Sequence, residues 1–181
     1  MGGHQPLRSR LDRCPRQHPC PAGERPGRAR APLRDGARRS VVGQLNVSGI
    51  TYGSLASASI GYWVVEDAAG HNVTPISVAL AVDHCFRQVG VHRIEICIRP
   101  ENAPSLRVVE KLGFRYEGLR RRYIHINGDW RDHFCFALVA EEVREGVLER
   151  WVQGRVPPGV GSVPLAARDE AAMPIHTTPR L

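Results

Sequence analysis

A chain of 181 residues, 42% hydrophobic and 24% charged, has the length for one domain with an ordinary core. It contains no apolar run near the roughly 20 residues that a membrane-spanning helix needs, and no apolar segment near its start of the kind that directs secretion. The formal charge of +7 belongs to one end: ten Arg against Asp12, Glu24 and Asp35 fall in residues 1–40, and the rest of the chain is neutral. The expectation is a cytoplasmic protein without a membrane partner.

Residues 1–40 are rich in Arg, Pro and Gly and show almost no hydrophobic periodicity, so they are expected to be a disordered leader. As a basic arm, this segment would touch RNA or ribosomes through phosphates. A second reading competes with that one. Lys111 is the one Lys among 25 basic residues, which suggests GC-rich coding, and Arg/Pro/Gly-rich sequence is what a wrong start or a frameshift produces from it.

Order is expected from Val41. Val41–Ile50 and Ala56–Glu66 read as two strands joined through Tyr52-Gly53-Ser54. Asp67 to Asn72 is a turn-rich loop. A helix follows with Thr74 as N-cap and Pro75 in its first turn, an apolar stripe of Ala79, Val82, Phe86 and Val89, and a stop at Gly90. From Arg93 to Ile98 apolar and polar residues alternate, as in a half-buried strand, until Pro100 ends it. Asn102 is a good N-cap for a helix through Leu112, and Gly113 is its expected C-terminal stop.

Phe114–Ile126 and Trp130–Leu138 read as two long strands, with Asn127-Gly128 as a strong hairpin signal between them. Residues 140–152 are expected to form a short helix with Val143, Val147 and Trp151 on one face, and residues 153–181 a disordered tail. The domain is therefore placed at 41–152, in the order β β α β α β β.

Five cysteines argue against a disulfide framework. Cys85, Cys97 and Cys135 each sit in an apolar run, where they pack as small hydrophobes. Cys14, His18 and Cys20 lack a second ligand pair at zinc-site spacing, so no metal is expected.

The stretch Arg99-Pro100-Glu101-Asn102-Ala103-Pro104-Ser105 through Glu110-Lys111-Leu112-Gly113-Phe114 resembles the segment PxNxxSxxxxEKxGF of the GNAT N-acetyltransferases. Within that superfamily it is similar to the ribosomal-protein-alanine branch, the RimJ/RimL type. Ile126-Asn127-Gly128-Asp129-Trp130-Arg131-Asp132 adds to the resemblance, because that branch carries a similar NG hairpin followed by W-x-D. The likeness covers about residues 41–143.

The resemblance implies an α/β (α+β) fold with a mixed, mostly antiparallel twisted sheet flanked by helices. The family's first strand and two helices have no counterpart in the reading above. It also implies acetyl-CoA as cosubstrate. The family loop (Q/R)-x-x-G-x-(G/A) holds a pyrophosphate at a helix start, where unpaired N–H groups and a partial positive charge meet it. Ala69, Gly70, His71, Asn72, Val73 and Thr74 match that loop. Ala69, Asn72 and Thr74 depart from its pattern, which predicts weakened cofactor binding.

Asn102 and Ser105 match positions that contact the pantetheine arm and approach the sulfur, where Ser105 would help protonate the departing thiolate. Each also has a structural use, Asn102 as a cap and Ser105 in the first helical turn. A backbone N–H near Val64 would hold the developing oxyanion.

Glu95 is the leading base candidate, against the alternative of a solvent-facing strand carboxylate. Tyr123 and Asp132 are weaker candidates that would otherwise pair across the last hairpin. Arg120-Arg121-Arg122 is a solvated face, or a guide for an acidic or RNA-bearing partner. The implied function is transfer of acetyl to a protein N-terminal amine, with a ribosomal protein as the family-implied acceptor. Two alternatives stay open: a truncated or inactive remnant that only binds CoA, and a nucleic-acid-binding module led by its basic arm.

Overall fold

The structure is a computed structural model that describes residues 29–34 and 41–173. Its centre is a six-stranded sheet in the order β1-β2-β3-β4-β6-β5. The strands are β1 (Ala29–Arg34), β2 (Val41–Thr51), β3 (Ser57–Val64), β4 (Arg93–Ile98), β5 (Arg115–Ile126) and β6 (Asp129–Val139). Every neighbouring pair is antiparallel except β3 with β4, which is parallel. The parallel step needs a crossover, and α1 (Val73–His84) supplies it. The mixed, mostly antiparallel sheet flanked by helices is the fold class expected from the sequence.

Alternation along the strands divides the residues between two faces. Ile94, Ile96 and Ile98 on β4 stand opposite Leu138, Phe136 and Phe134 on β6, and all six are buried. This face packs against α1, α2 (Ala103–Leu112) and α3 (Val147–Val152), which also touch one another. Val78, Ala79, Val82, Val109 and Leu112 supply the helical side of the core. The second face carries Arg93, Glu95 and Cys97 from β4 and Ser59, Gly61 and Trp63 from β3.

Several boundaries differ from the sequence reading. The cap of α1 is Asn72, two residues before the expected Thr74, because Asn72 takes a left-handed conformation (φ 60°) that turns the chain into the helix. Pro75 still falls in the first turn, where its missing N–H costs nothing. The last turn of this helix widens over Cys85–Val89 until Gly90, at φ 77°, ends it.

The single helix expected over 140–152 is split. Ala140–Val143 is one 3₁₀ turn, Gly146 at φ 109° breaks the path, and α3 starts at Val147. Asp83 of α1 caps that start, accepting from the Val147 N–H at 2.7 Å and the Leu148 N–H at 3.3 Å.

The ends of the chain hold more structure than composition suggests. Within the stretch expected to be a disordered leader, Ala29–Arg34 forms the edge strand β1 on β2. An edge strand takes its order from its neighbour's free backbone groups, which side-chain periodicity does not record. The rest of the basic arm, with Cys14, His18 and Cys20, lies outside the described residues. In the expected tail, Leu165–Ala172 forms α4, which packs near β5. Arg121 donates to the Glu170 carbonyl at 2.6 Å, and buried Val163 anchors the approach. Asn127 and Gly128 both adopt positive φ, as the expected tight hairpin requires. Among the described residues no helix is long and apolar enough to cross a membrane.

Candidate active site

The sheet opens where its one parallel pair ends. β3 and β4 are in register over three rungs only, Ser57–Ser59 against Arg93–Glu95. Beyond them β3 follows β2 as far as Val64, and β4 follows β6 as far as Ile98. The two strands therefore part, each holding to its antiparallel neighbour. The Val65 N–H donates to the Val42 carbonyl on β2 at 2.8 Å. Since N–H directions alternate along a strand, the Val64 N–H points the other way, into the split.

A cleft of about 480 Å³ opens on the helical side of this split. Tyr62, Trp63 and Val64 of β3 form one wall. Gly70, Asn72, Val73 and Thr74 at the start of α1 form the floor, and Asn102, Ser105, Arg107 and Lys111 of α2 the opposite wall. The N-termini of both helices thus face one cavity. Among the described residues the N–H groups of Gly70 to Thr74 have no acceptor, as expected of a loop running into a first helical turn. Lys111 Nζ donates to Asn72 Oδ1 at 3.0 Å, which ties α2 to this loop and holds a cation beside the free donors. Free N–H groups, the positive end of a 12-residue helix and two cationic side chains suit an elongated anion.

Asn102 has the capping role its sequence position suggests, accepting from the Ser105 N–H at 3.2 Å. Its cap leaves the Ser105 side chain in the cleft wall near Tyr62. The Tyr62 hydroxyl is buried without a hydrogen-bond partner among the described residues. Burial pushes its pKa up to about 12, with the neighbouring Ser105 hydroxyl opposing that rise, so the phenol stays protonated.

The candidate residues fall on opposite sides of the sheet. Val64, Gly70, Asn72, Val73, Thr74, Asn102 and Ser105 line the cleft; His71 does not and is exposed. Glu95 and Tyr123 do not line it either. They meet on the second face through Arg120, whose guanidinium donates to Glu95 Oε2 at 3.3 Å and to the Tyr123 hydroxyl at 2.9 Å. The other Glu95 oxygen accepts from Arg93 at 2.9 Å and 3.0 Å. Glu95 thus sits at the last paired rung of the split with both oxygens held by guanidinium groups.

Arg93 also bonds Glu117, and these contacts, with those from Arg115, hold the Glu117 carboxyl below the usual carboxylate range. Asp132 is held across the hairpin, accepting from the Arg122 N–H at 2.7 Å and from Arg121 at 3.3 Å.

Tyr62, Arg107 and Lys111 escaped the sequence reading. Tyr62 offered one signal, as a phenol at an inward position of an alternating strand. Arg107 and Lys111 are four residues apart, which puts them on one face of α2.

Comparison with known proteins agrees with this geometry. Residues 26–115 match the sequence profile of the acetyltransferase (GNAT) domain. The chain is 37% identical over 99 residues to "Probable N-acetyltransferase YjcK" of Bacillus subtilis (strain 168), covering 55% of each. It is 28% identical over 123 residues to the [Ribosomal protein uS5]-alanine N-acetyltransferase of Escherichia coli (strain K12), covering 68% of this chain and 59% of the relative. Among solved structures, Mycobacterium smegmatis RimJ in complex with CoA-disulfide superposes with a TM-score of 0.61 at 43% identity, over 66% of this chain and 57% of that one. The chain spans a little over half the length of these relatives.

Proposed function

We propose, for a chain that belongs to the GNAT acetyltransferase family, that it binds acetyl-CoA in the cleft and transfers the acetyl group to a protein N-terminal amine. The observation that carries this reading is the split itself. Two helix N-termini and a free strand edge converge on one cavity, with Ser105 and the Val64 N–H at its inner end. The likeness to a uS5-alanine N-acetyltransferase supports a ribosomal protein as acceptor.

The donor supplies a thioester, an electrophilic carbonyl with a thiolate leaving group. Gly70 to Thr74 and Lys111 hold its phosphates, and Asn102 lies along its arm. The Val64 N–H donates to the carbonyl oxygen as negative charge develops there. Ser105 donates toward the sulfur, with protonated Tyr62 beside it to keep the inner end of the cleft dry and neutral. The acceptor amine approaches from the second face, where Glu95, Arg120 and Tyr123 sit. An α-amino group has a pKa of about 7.7 to 8.0, so it must lose a proton first. Glu95 takes that proton once the acceptor has displaced one of its guanidinium partners.

Calorimetry with acetyl-CoA, followed by mass spectrometry of an N-terminal Ala peptide, tests the reading. Binding and a single α-acetylation are expected. Binding without transfer leaves a CoA-binding remnant, and no binding refutes the proposal. Salt-dependent RNA binding that disappears on deletion of residues 1–28, which leaves β1 in place, would instead point to a nucleic-acid module.

A further inference from the structure

On the second face of the sheet, away from the cleft, Cys97 of β4 stands directly opposite Cys135 of β6. Their sulfurs are 3.3 Å apart and unbonded. Directly opposed residues of antiparallel strands have Cα atoms about 4.5 to 5.5 Å apart, inside the roughly 4.4 to 6.8 Å that a disulfide spans. The pairing thus falls within disulfide reach, and side-chain rotation brings the sulfurs together from 3.3 Å. Cys97 is half-buried and Cys135 beside it is 6% exposed, both on that face. Arg120 brings a guanidinium nitrogen to 3.9 Å from Cys97 Sγ. The proposed acetyl transfer uses neither thiol.

We propose that Cys97 and Cys135 are a peroxide-responsive dithiol that closes to a disulfide stapling β4 to β6. The thiolate attacks one oxygen of hydrogen peroxide, forming a sulfenic acid as the O–O bond breaks and the second oxygen leaves as water after taking a proton. The partner thiol then attacks the sulfenic sulfur, its proton joins the departing hydroxyl, and a second water leaves. Two thiols are oxidised by two electrons, and one peroxide is reduced to two waters. The contact between the two sulfurs pulls Cys135 below the usual thiol range and pushes Cys97 up, and Arg120 adds to the first effect, so Cys135 is the attacking sulfur and Cys97 the resolving thiol. Cys85, alone in the core with its thiol pushed up by burial, lacks both aids.

The test treats the full-length reduced protein with hydrogen peroxide under native conditions, then maps peptides without reduction. A Cys97–Cys135 linked peptide whose bridge dithiothreitol reverses is expected, while Cys85 stays reduced. Cys97→Ser and Cys135→Ser should each abolish the link, and circular dichroism confirms that each folds. Arg120→Gln should slow bridging several-fold. Both thiols remaining titratable, oxidation stopping at sulfinic acid without a bridge, or a bridge forming only in unfolding urea would overturn the proposal.

Discussion

Replacing Lys111 with Met should weaken acetyl-CoA binding without unfolding the protein. The Lys111 ammonium is exposed at the cleft wall, 3.0 Å from Asn72 Oδ1, beside N–H groups that have no acceptor among the described residues. A hydrogen bond to a charged group contributes about 1.5 to 3 kcal/mol, and an exposed ion contact lies lower in that range or below it. The expected loss is therefore roughly 1 to 2 kcal/mol, about a five- to thirty-fold rise in Kd.

The loss should shrink with added salt and be absent for acetyl-pantetheine, which has no pyrophosphate. Calorimetry with acetyl-CoA, and competition with acetyl-pantetheine, separate these terms. A second variant isolates the loop: Asn72→Gly keeps the left-handed turn that Asn72 holds at φ 60° but removes the oxygen that positions Lys111. It should cost less than Lys111→Met, and the double variant should fall short of the sum. Equal weakening of both ligands, or full additivity, would refute a phosphate role for Lys111.

Tyr62→Phe removes a buried hydroxyl whose neighbour is Ser105 and keeps the inner end of the cleft dry and neutral, so thermal stability should change by less than about 1 kcal/mol and turnover should hold; a clear drop in either would contradict this account. Arg150 is 6% exposed and donates to the Leu112 carbonyl at 2.6 Å and the Glu142 carbonyl at 3.2 Å. Arg150→Met should cost about 2 to 4 kcal/mol by urea denaturation, because those carbonyls lose their donor where water cannot replace it. Glu117 has a lowered folded pKa, so its ion pairs stabilise the protein above the ordinary carboxylate pKa of about 4.3 and fade as pH falls through the lowered value. Glu117→Gln should flatten the acid side of the stability curve, measured as the urea midpoint between about pH 6 and pH 3.

Elements whose order comes from local chemistry were legible in the sequence. The Asn102 cap, the Gly113 stop, the alternation in β4 and the Asn127-Gly128 hairpin all act within a few residues of themselves. The start of α1 was legible only to within two residues, because Asn72 turns the chain by its left-handed backbone and makes no side-chain cap bond. β1 and α4 were misread because their order comes from partners distant in the chain, β2 for one and β5 with Arg121 for the other.

The site divides along the same line. Sequence alone determined the order of strands and helices from Val41 to Val139, with a turn-rich loop before the first helix. Only the tertiary structure decided that β3 and β4 stay together for three rungs and then part, because each strand keeps to its antiparallel neighbour. That parting makes the cleft, recruits Tyr62 and Lys111 to it, and leaves Glu95 on the far face between two arginines. Periodicity reports which side of its own strand a residue occupies. Where two strands separate depends on pairing along the whole sheet, which no local pattern encodes.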